Sequence, residues 1–227
     1  MNACMPPRPK TRDRILQASL ELFNSQGERS VTTNHIAAHL AISPGNLYYH
    51  FRNKQMIIAE LFDRYEAQVD GFLRLPKGRT VTMEDKTFYL ESLLSAMWQY
   101  RFLHRDLERL LGEDEVLAER YCGFVESHLM VARGIYQGFV DAGLLHMTQS
   151  QVEAVALNAW IVTTSWVRFL CTAGSSPDRL SELMLRRGIY QILMLEDGFV
   201  AEQARQEYDE LCGRLDVPLV SLLTCPQ

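Results

Sequence analysis

Long apolar runs are scarce in this chain of 227 residues. No segment approaches the ~18 uninterrupted apolar residues that cross a bilayer as a helix. The most apolar stretch, 152–172, is interrupted by Glu153, Asn158 and Arg168, so no transmembrane helix is expected. The N-terminal MNACMPPRPK has no apolar run behind its basic residues, which argues against a secretory signal. Cysteine is also sparse. Cys4, Cys122, Cys171, Cys212 and Cys225 are odd in number, scattered, and never form C-x-x-C. That pattern favours reduced thiols in a cytoplasmic protein over a disulfide framework or a zinc site. Convincing runs of period-two alternation are absent, which argues against a sheet. Internal repeats and low-complexity tracts are lacking too.

What is present is an ordinary globular composition, 47% apolar and 22% charged, at a length that makes one large domain or two small ones. The charge is unevenly placed. Residues 1–55 hold seven Lys/Arg against three Asp/Glu, a net of +4, while the remainder carries −9 of the total −5. A basic end on an acidic chain hints at contact with nucleic acid or a membrane surface.

Start and stop signals give helices throughout, so the fold class is all-α. Thr11 is placed to cap a first helix that Gly27 stops. Thr32 is placed to cap a short second helix whose inner face carries Ile36, Ala37 and Leu40. Ser43 caps a third, with Pro44 at the favoured first position. A longer helix runs from Lys54 to near Gly71. LPKGRTV, at 75–81, is the best linker candidate because Pro and Gly punctuate it. Thr82 restarts a helix, Gly112 and the EDE after it suggest a break, and Gly143 closes a later helix. Thr148-x-x-Gln151 is a capping-box pattern. Ser176-Pro177-Asp178 starts a further helix ending near Gly198, and a last polar helix covers roughly 199–213.

The stretch SPGNLYYHF, residues 43–51, is unusual on such a scaffold. At ~100° per residue, Leu47 and Phe51 share one side of the third helix, while Gly45, Tyr49 and Asn46 lie opposite. Tyr48 and His50 fall on the flanks. Two short helices with the second displaying polar and aromatic groups describe a helix-turn-helix. The second helix is of a size that enters a major groove. Thr32 and Thr33 offer hydroxyls and N–H groups to a neighbouring backbone, and Arg52 and Lys54 offer charge. From geometry alone, a helical hairpin with a half-buried tyrosine pair stays open beside this reading.

The motifs I-x-x-A-x-x-L-F-x-x-x-G, T-x-x-x-I-A and S-x-G-x-L-Y-x-H-F-x-x-K, spread over roughly residues 10–62, resemble the N-terminal domain of the tetracycline-repressor (TetR) family of bacterial regulators. By position, the resemblance implies DNA contacts from Thr32, Thr33 and Asn34 at the start of the second helix. It implies further contacts from Ser43, Pro44, Gly45, Asn46, Tyr48, Tyr49 and His50 on the recognition helix. Lys54 matches a phosphate-contacting lysine, and Leu47 and Phe51 match structural positions. One departure is Ala41, where the family usually has Gly in the turn; a non-Gly residue is costly at positive φ.

The resemblance also implies two domains: 1–62, a DNA-binding helix-turn-helix with a basic arm, and 63–227, a helical unit that binds a small effector and forms a homodimer. The partners so implied are a double-stranded, palindromic DNA operator, the effector and a second copy of the chain; no membrane partner and no cofactor are expected. The helices at about 149–172 and 177–195 are the expected seam of an intermolecular four-helix bundle. The first carries Leu157, Trp160, Ile161, Val162, Trp166 and Phe169, with Val155, Val167 and Leu170. The second carries Leu180, Leu183, Met184, Ile189, Ile192 and Leu193.

Trp98, Phe102, Tyr121 and Phe124 are candidates to line an apolar pocket for a hydrophobic or aromatic effector, although most aromatics of residues 82–145 belong to a core. The helix from Lys54 to about Val69 links the two halves and is the natural lever between them. No catalytic group or metal site is expected. His35 and His39 have ligand spacing without a third ligand, so a solvated or phosphate-facing pair is favoured. His104-Arg105-Asp106 reads as a salt-bridged surface. The competing class is an enzyme or small-molecule carrier with a vestigial helix-turn-helix.

Overall fold

The computed structural model describes residues 10–173 and 180–218. They form ten α-helices: α1 Thr11–Gln26, α2 Thr33–His39, α3 Pro44–His50, α4 Lys54–Phe72, α5 Met83–Gln99, α6 Arg101–Glu113, α7 Glu115–Asp141, α8 Gln149–Thr172, α9 Glu182–Met194 and α10 Arg205–Leu215. Short 3₁₀ turns sit at Glu28–Ser30, Asp197–Phe199 and Glu202–Ala204. Among the described residues, extended pairing is limited to one bridge between Leu145 and Val200. The chain divides into two compact units, Met1–Arg64 and Tyr65–Gln227, with the boundary inside α4.

In the first unit, Ile15, Leu16 and Phe23 of α1 pack with Ile36 of α2, Leu47 of α3, Phe51, and Ile57 and Leu61 of α4, all fully or almost fully buried. Burying each such side chain contributes about 1.5–3 kcal/mol. Gly27 ends α1 at φ 85°, a conformation that suits glycine. Thr11 is not the cap of α1: it is the first helical residue, and Lys10 precedes it without a side-chain capping bond. Asn53 supplies a cap the sequence reading missed, its Oδ1 accepting from the Met56 N–H at 2.9 Å.

In the second unit, Thr82 and Asp85 form a capping box at α5, and Thr148 and Gln151 form another at α8. Gly143 ends α7 at φ 73°. The break expected at Gly112 and the EDE after it forms at Asp114: α6 ends at Glu113, and the Asp114 carboxylate caps α7 by accepting from the Leu117 N–H at 3.0 Å. A further break at Tyr100 separates α5 from α6. The start expected at Ser176-Pro177-Asp178 lies outside the described residues; α9 is described from Glu182, capped by Ser181, and ends at Met194 rather than near Gly198. The segment 75–81 joins two helices within this unit. Of the cysteines within the described residues, Cys122, Cys171 and Cys212 are free thiols.

The contact between α8 and α9 depends on one glycine. A Cβ on Gly188 would lie 2.5–2.7 Å from the Trp166 indole ring. That ring is held in place by its N–H, which donates to the Met184 carbonyl at 2.8 Å. Deeper in the core, the Lys86 ammonium meets the Glu196 carboxylate at 2.5 Å with both side chains buried. Lys86 also sits 4.2 Å from the centre of the Phe139 ring, so part of its charge is stabilised by an aromatic face.

Residues expected at the dimer seam separate into three sets, of which Trp160, Val162, Trp166 and Met184 are half-buried. Val155, Val167, Leu170, Leu180, Ile189, Ile192 and Leu193 are buried within the chain, which corrects their place from seam to core. Leu157, Ile161 and Phe169 of α8 and Leu183 of α9 are about half exposed. Helix α8 is 24 residues long and, by length and composition, apolar enough to cross a membrane; only 22% of its apolar window is buried. Its outward face is therefore apolar surface that the described residues do not cover.

Candidate nucleic-acid interface and the aromatic cluster

Local capping shapes the pair α2–α3. Thr32 Oγ1 accepts from the His35 N–H at 3.2 Å, and the Thr32 N–H donates to His35 Nδ1 at 3.4 Å. His35 thus closes a capping box, a role usually taken by Glu or Gln.

The turn after α2 passes through Ala41 at φ 53°, the one non-glycine residue at positive φ among those described. The left-handed conformation is kept despite the missing glycine. Ala41 and Ile42 donate back to the carbonyls of Ala38 and Ala37 at 3.1 and 3.0 Å. The strain, about 1–2 kcal/mol, is offset by these bonds and by the packing on either side.

Ser43 Oγ then accepts from the Asn46 N–H at 3.2 Å and Pro44 opens α3. Leu47 and Phe51 are fully buried, so the opposite face is forced outward. Tyr49 is 86% exposed, and Gly45, Asn46 and Asn34 are exposed as well. Tyr48 is half exposed, its hydroxyl 3.2 Å from Thr33 Oγ1, which ties α3 to the start of α2. His50 is half-buried, its ring meeting the Tyr49 ring edge-on at 5.1 Å. The half-buried tyrosine pair of the competing hairpin reading is not what forms: both tyrosines face out.

The cations of this unit divide by partner. Lys54 points inward: its ammonium pairs with the buried Glu28 carboxylate at 2.7 Å and donates to the Glu28 and Val31 carbonyls at 3.0 Å each. All three ammonium protons therefore have acceptors inside the chain. Arg12 donates to the His50 carbonyl at 2.9 Å, lies 4.3 Å over the Phe51 ring and pairs with Glu60. Arg64 pairs with Asp13 at 2.6 Å. Lys10, Arg14, Arg29 and Arg52 have no carboxylate within ion-pair distance among the described residues, and they form the outward positive charge. Sequence reading singled out Arg52 of these four as an outward charge.

The four aromatic candidates of the second unit do not share one place. Phe124 is buried, with the rings of His128, Tyr65, Trp160 and Tyr121 at 4.1, 5.7, 5.8 and 5.9 Å. Phe102 is fully buried. Trp98 is half-buried against the main core and lies 4.2 Å under the Arg101 guanidinium. The structure thus joins Tyr121 and Phe124 and places Trp98 against other neighbours.

His104 and Arg105 are not surface residues. His104 is buried, meets the Tyr65 ring edge-on at 5.5 Å, and burial pulls its imidazole down to about 4, so it is neutral at pH 7. The Arg105 side chain is buried beside Asp106 at 2.9 Å. Sequence reading missed His104, His128 and Tyr65 as neighbours of the aromatic cluster. Their regular spacing from the apolar residues of their helices was the available signal.

A capped helix pair that presents its second helix outward, followed in the chain by an all-helical unit, defines the helix-turn-helix class of DNA-binding regulators. Residues 15–61 match the family described as bacterial regulatory proteins, tetR family, and residues 64–208 match TetR, bacterial transcriptional repressor. The chain belongs to the TetR family of bacterial transcriptional regulators. It is 47% identical to a TetR-family transcriptional regulator from Marinobacter aquaeolei VT8, whose crystal structure matches with a TM-score of 0.84 over 92% of this chain and 100% of that one.

Among curated relatives, it is 32% identical over 91 residues to the HTH-type transcriptional regulator QacR of Staphylococcus aureus, or 40% of this chain and 48% of that protein. It is 46% identical over 48 residues to the HTH-type transcriptional regulator UidR of Escherichia coli K12, or 21% of this chain and 24% of that protein. The chain thus spans about half or less of the length of these curated relatives.

Proposed function

We propose that this protein is a cytoplasmic, homodimeric repressor that binds a palindromic DNA operator and is released by a hydrophobic or aromatic small molecule. The observation that carries the DNA reading is the outward face of α3. Gly45, Asn46 and Tyr49 are exposed on a helix whose other side is pinned by Leu47 and Phe51. Asn46 and Tyr49 meet bases or the groove wall. Thr32, Thr33, Asn34, Ser43, Pro44, Tyr48 and His50 position the phosphate backbone, and Lys10, Arg14, Arg29 and Arg52 add charge. Lys54 acts by holding the 3₁₀ turn at Glu28–Ser30 in place. A helix-turn-helix module offers one recognition helix, so two half-sites read by a symmetric pair supply the specificity.

The exposed apolar face of α8 and α9 supports the dimer. Leu157, Ile161, Phe169 and Leu183 would bury against their symmetry mates in an isologous contact. The effector reading rests on the aromatic cluster around Phe124, whose polar groups are the neutral His104, the His128–Asp70 pair and the tyrosine hydroxyls; a ligand there favours flat, largely apolar surface. The vestigial-helix alternative gains nothing from the structure, since the caps and outward face of α2–α3 are intact.

The test is fluorescence anisotropy with the DNA upstream of the protein's own gene, with and without Asn46→Ala, together with sedimentation at micromolar concentration. Retained discrimination among operator variants in Asn46→Ala argues against direct readout, and a monomer argues against the dimer.

A further inference from the structure

A cleft between the end of α4, the segment 73–82 and the start of α5 takes no part in the DNA or effector readings. Its cavity is about 380 Å³, at the lower end of the ~300–1,000 Å³ typical of small-molecule sites. Its apolar wall is Phe72, Leu75, Pro76 and Phe88. Phe88 is 54% exposed and Leu75 46%, so two large apolar side chains face solvent beside the opening.

The rim is cationic. Arg74, Lys77 and Arg79 line it, against a single carboxylate, Asp85. Arg79 already holds both Asp85 oxygens, at 2.6 and 2.7 Å. Arg74 and Lys77 are exposed and have no carboxylate within ion-pair distance among the described residues. Two positive charges are therefore left over next to uncovered apolar surface.

The cleft is also held in shape. The Tyr89 hydroxyl donates to the Arg74 carbonyl at 2.7 Å, tying the segment to α5. Leu75 settles on α7 at Gly134 and Gly138, where a Cβ on Gly138 would come within 3.1 Å of it. Gly78 turns the chain at φ 75°. The Arg79–Asp85 pair and the Thr82–Asp85 capping box close the other side. A preformed site spends little of its binding free energy on ordering itself.

We propose that this cleft binds an aromatic monocarboxylate, with the ring against Leu75 and Phe88 and the carboxylate between Arg74 and Lys77. The charge surplus selects an anion, and the apolar wall selects a flat hydrocarbon body over a bare inorganic ion. The site is separate from the aromatic cluster around Phe124, and its test involves no DNA, so it stands or falls independently of the operator reading.

The experiment is calorimetric titration of the full chain with 2-naphthoate and with its neutral isostere 2-naphthamide. The expected result is saturable one-to-one binding of the acid, with the amide weaker by about tenfold. The double variant Arg74→Gln/Lys77→Gln should bring the acid down to the level of the amide and leave the urea midpoint unchanged, because both side chains are exposed. Phe88→Ala should weaken acid and amide together. Absence of saturation at millimolar acid, equal affinity for acid and amide, or full affinity in the double variant would each overturn the proposal.

Discussion

Gly45→Ala separates the fold from the interface. Glycine is chosen in proteins where the backbone needs positive φ or where something approaches closely. Gly45 is not among the positive-φ residues. A Cβ built on it meets nothing nearer than Ser43 Oγ at 4.0 Å, an ordinary contact. Nothing within the chain therefore requires glycine there. Alanine at a compatible helical site stabilises by about 0.4–1 kcal/mol, chiefly by restricting the unfolded chain. If α3 enters the groove as proposed, the same methyl group stands on its outward face, where the backbone would come close to the groove wall. Displacing the helix there should cost at least ~1.4 kcal/mol, or tenfold in affinity. The variant should show a raised urea midpoint and a weakened operator complex in anisotropy titrations at fixed salt. An unchanged operator affinity would refute the claim that α3 meets DNA along this face, and a lowered midpoint would refute the reading of free space around Gly45.

Three other outcomes are expected. Lys54→Ala removes the cation beside the buried Glu28 and should cost about 2–3 kcal/mol, below the ~3–5 of a fully buried pair because Lys54 keeps 23% of its side chain exposed; urea unfolding at pH 7 checks it, and a loss confined to DNA affinity would contradict it. Gly188→Ala drives a methyl group into the Trp166 ring and should destabilise by about 1–3 kcal/mol, with a shift in tryptophan fluorescence as the second readout. His104 is held neutral by burial with its imidazole at about 4, so the unfolded state binds the extra proton first and stability falls as pH drops from about 6.5 toward 4. That amounts to about 2 kcal/mol between pH 7 and pH 5, and His104→Leu should flatten the profile over that window; an unaltered slope would place His104 in contact with water.

The sequence alone determined most of the local structure, because helix ends are written in short-range chemistry. Thr32, Ser43, Thr82 and Thr148 each cap the helix they precede through a bond to the N–H three residues on. The outward face of α3 was equally legible, since Leu47 and Phe51 on one side leave Asn46 and Tyr49 no place but the other. What depends on residues distant in the chain was not legible. Lys54 looks like a free cation until the fold brings Glu28, 26 residues earlier, beneath it. Arg12 is spent on His50 and Glu60 for the same reason. His104 sits in a polar triplet by sequence and in an aromatic interior by structure, because packing against Tyr65 decides its burial. Among the apolar residues of α8 and α9, composition cannot tell core from open face. Only the packing of the two helices leaves Leu157, Ile161, Phe169 and Leu183 outside, since burial is settled by which surfaces meet and not by how apolar each residue is.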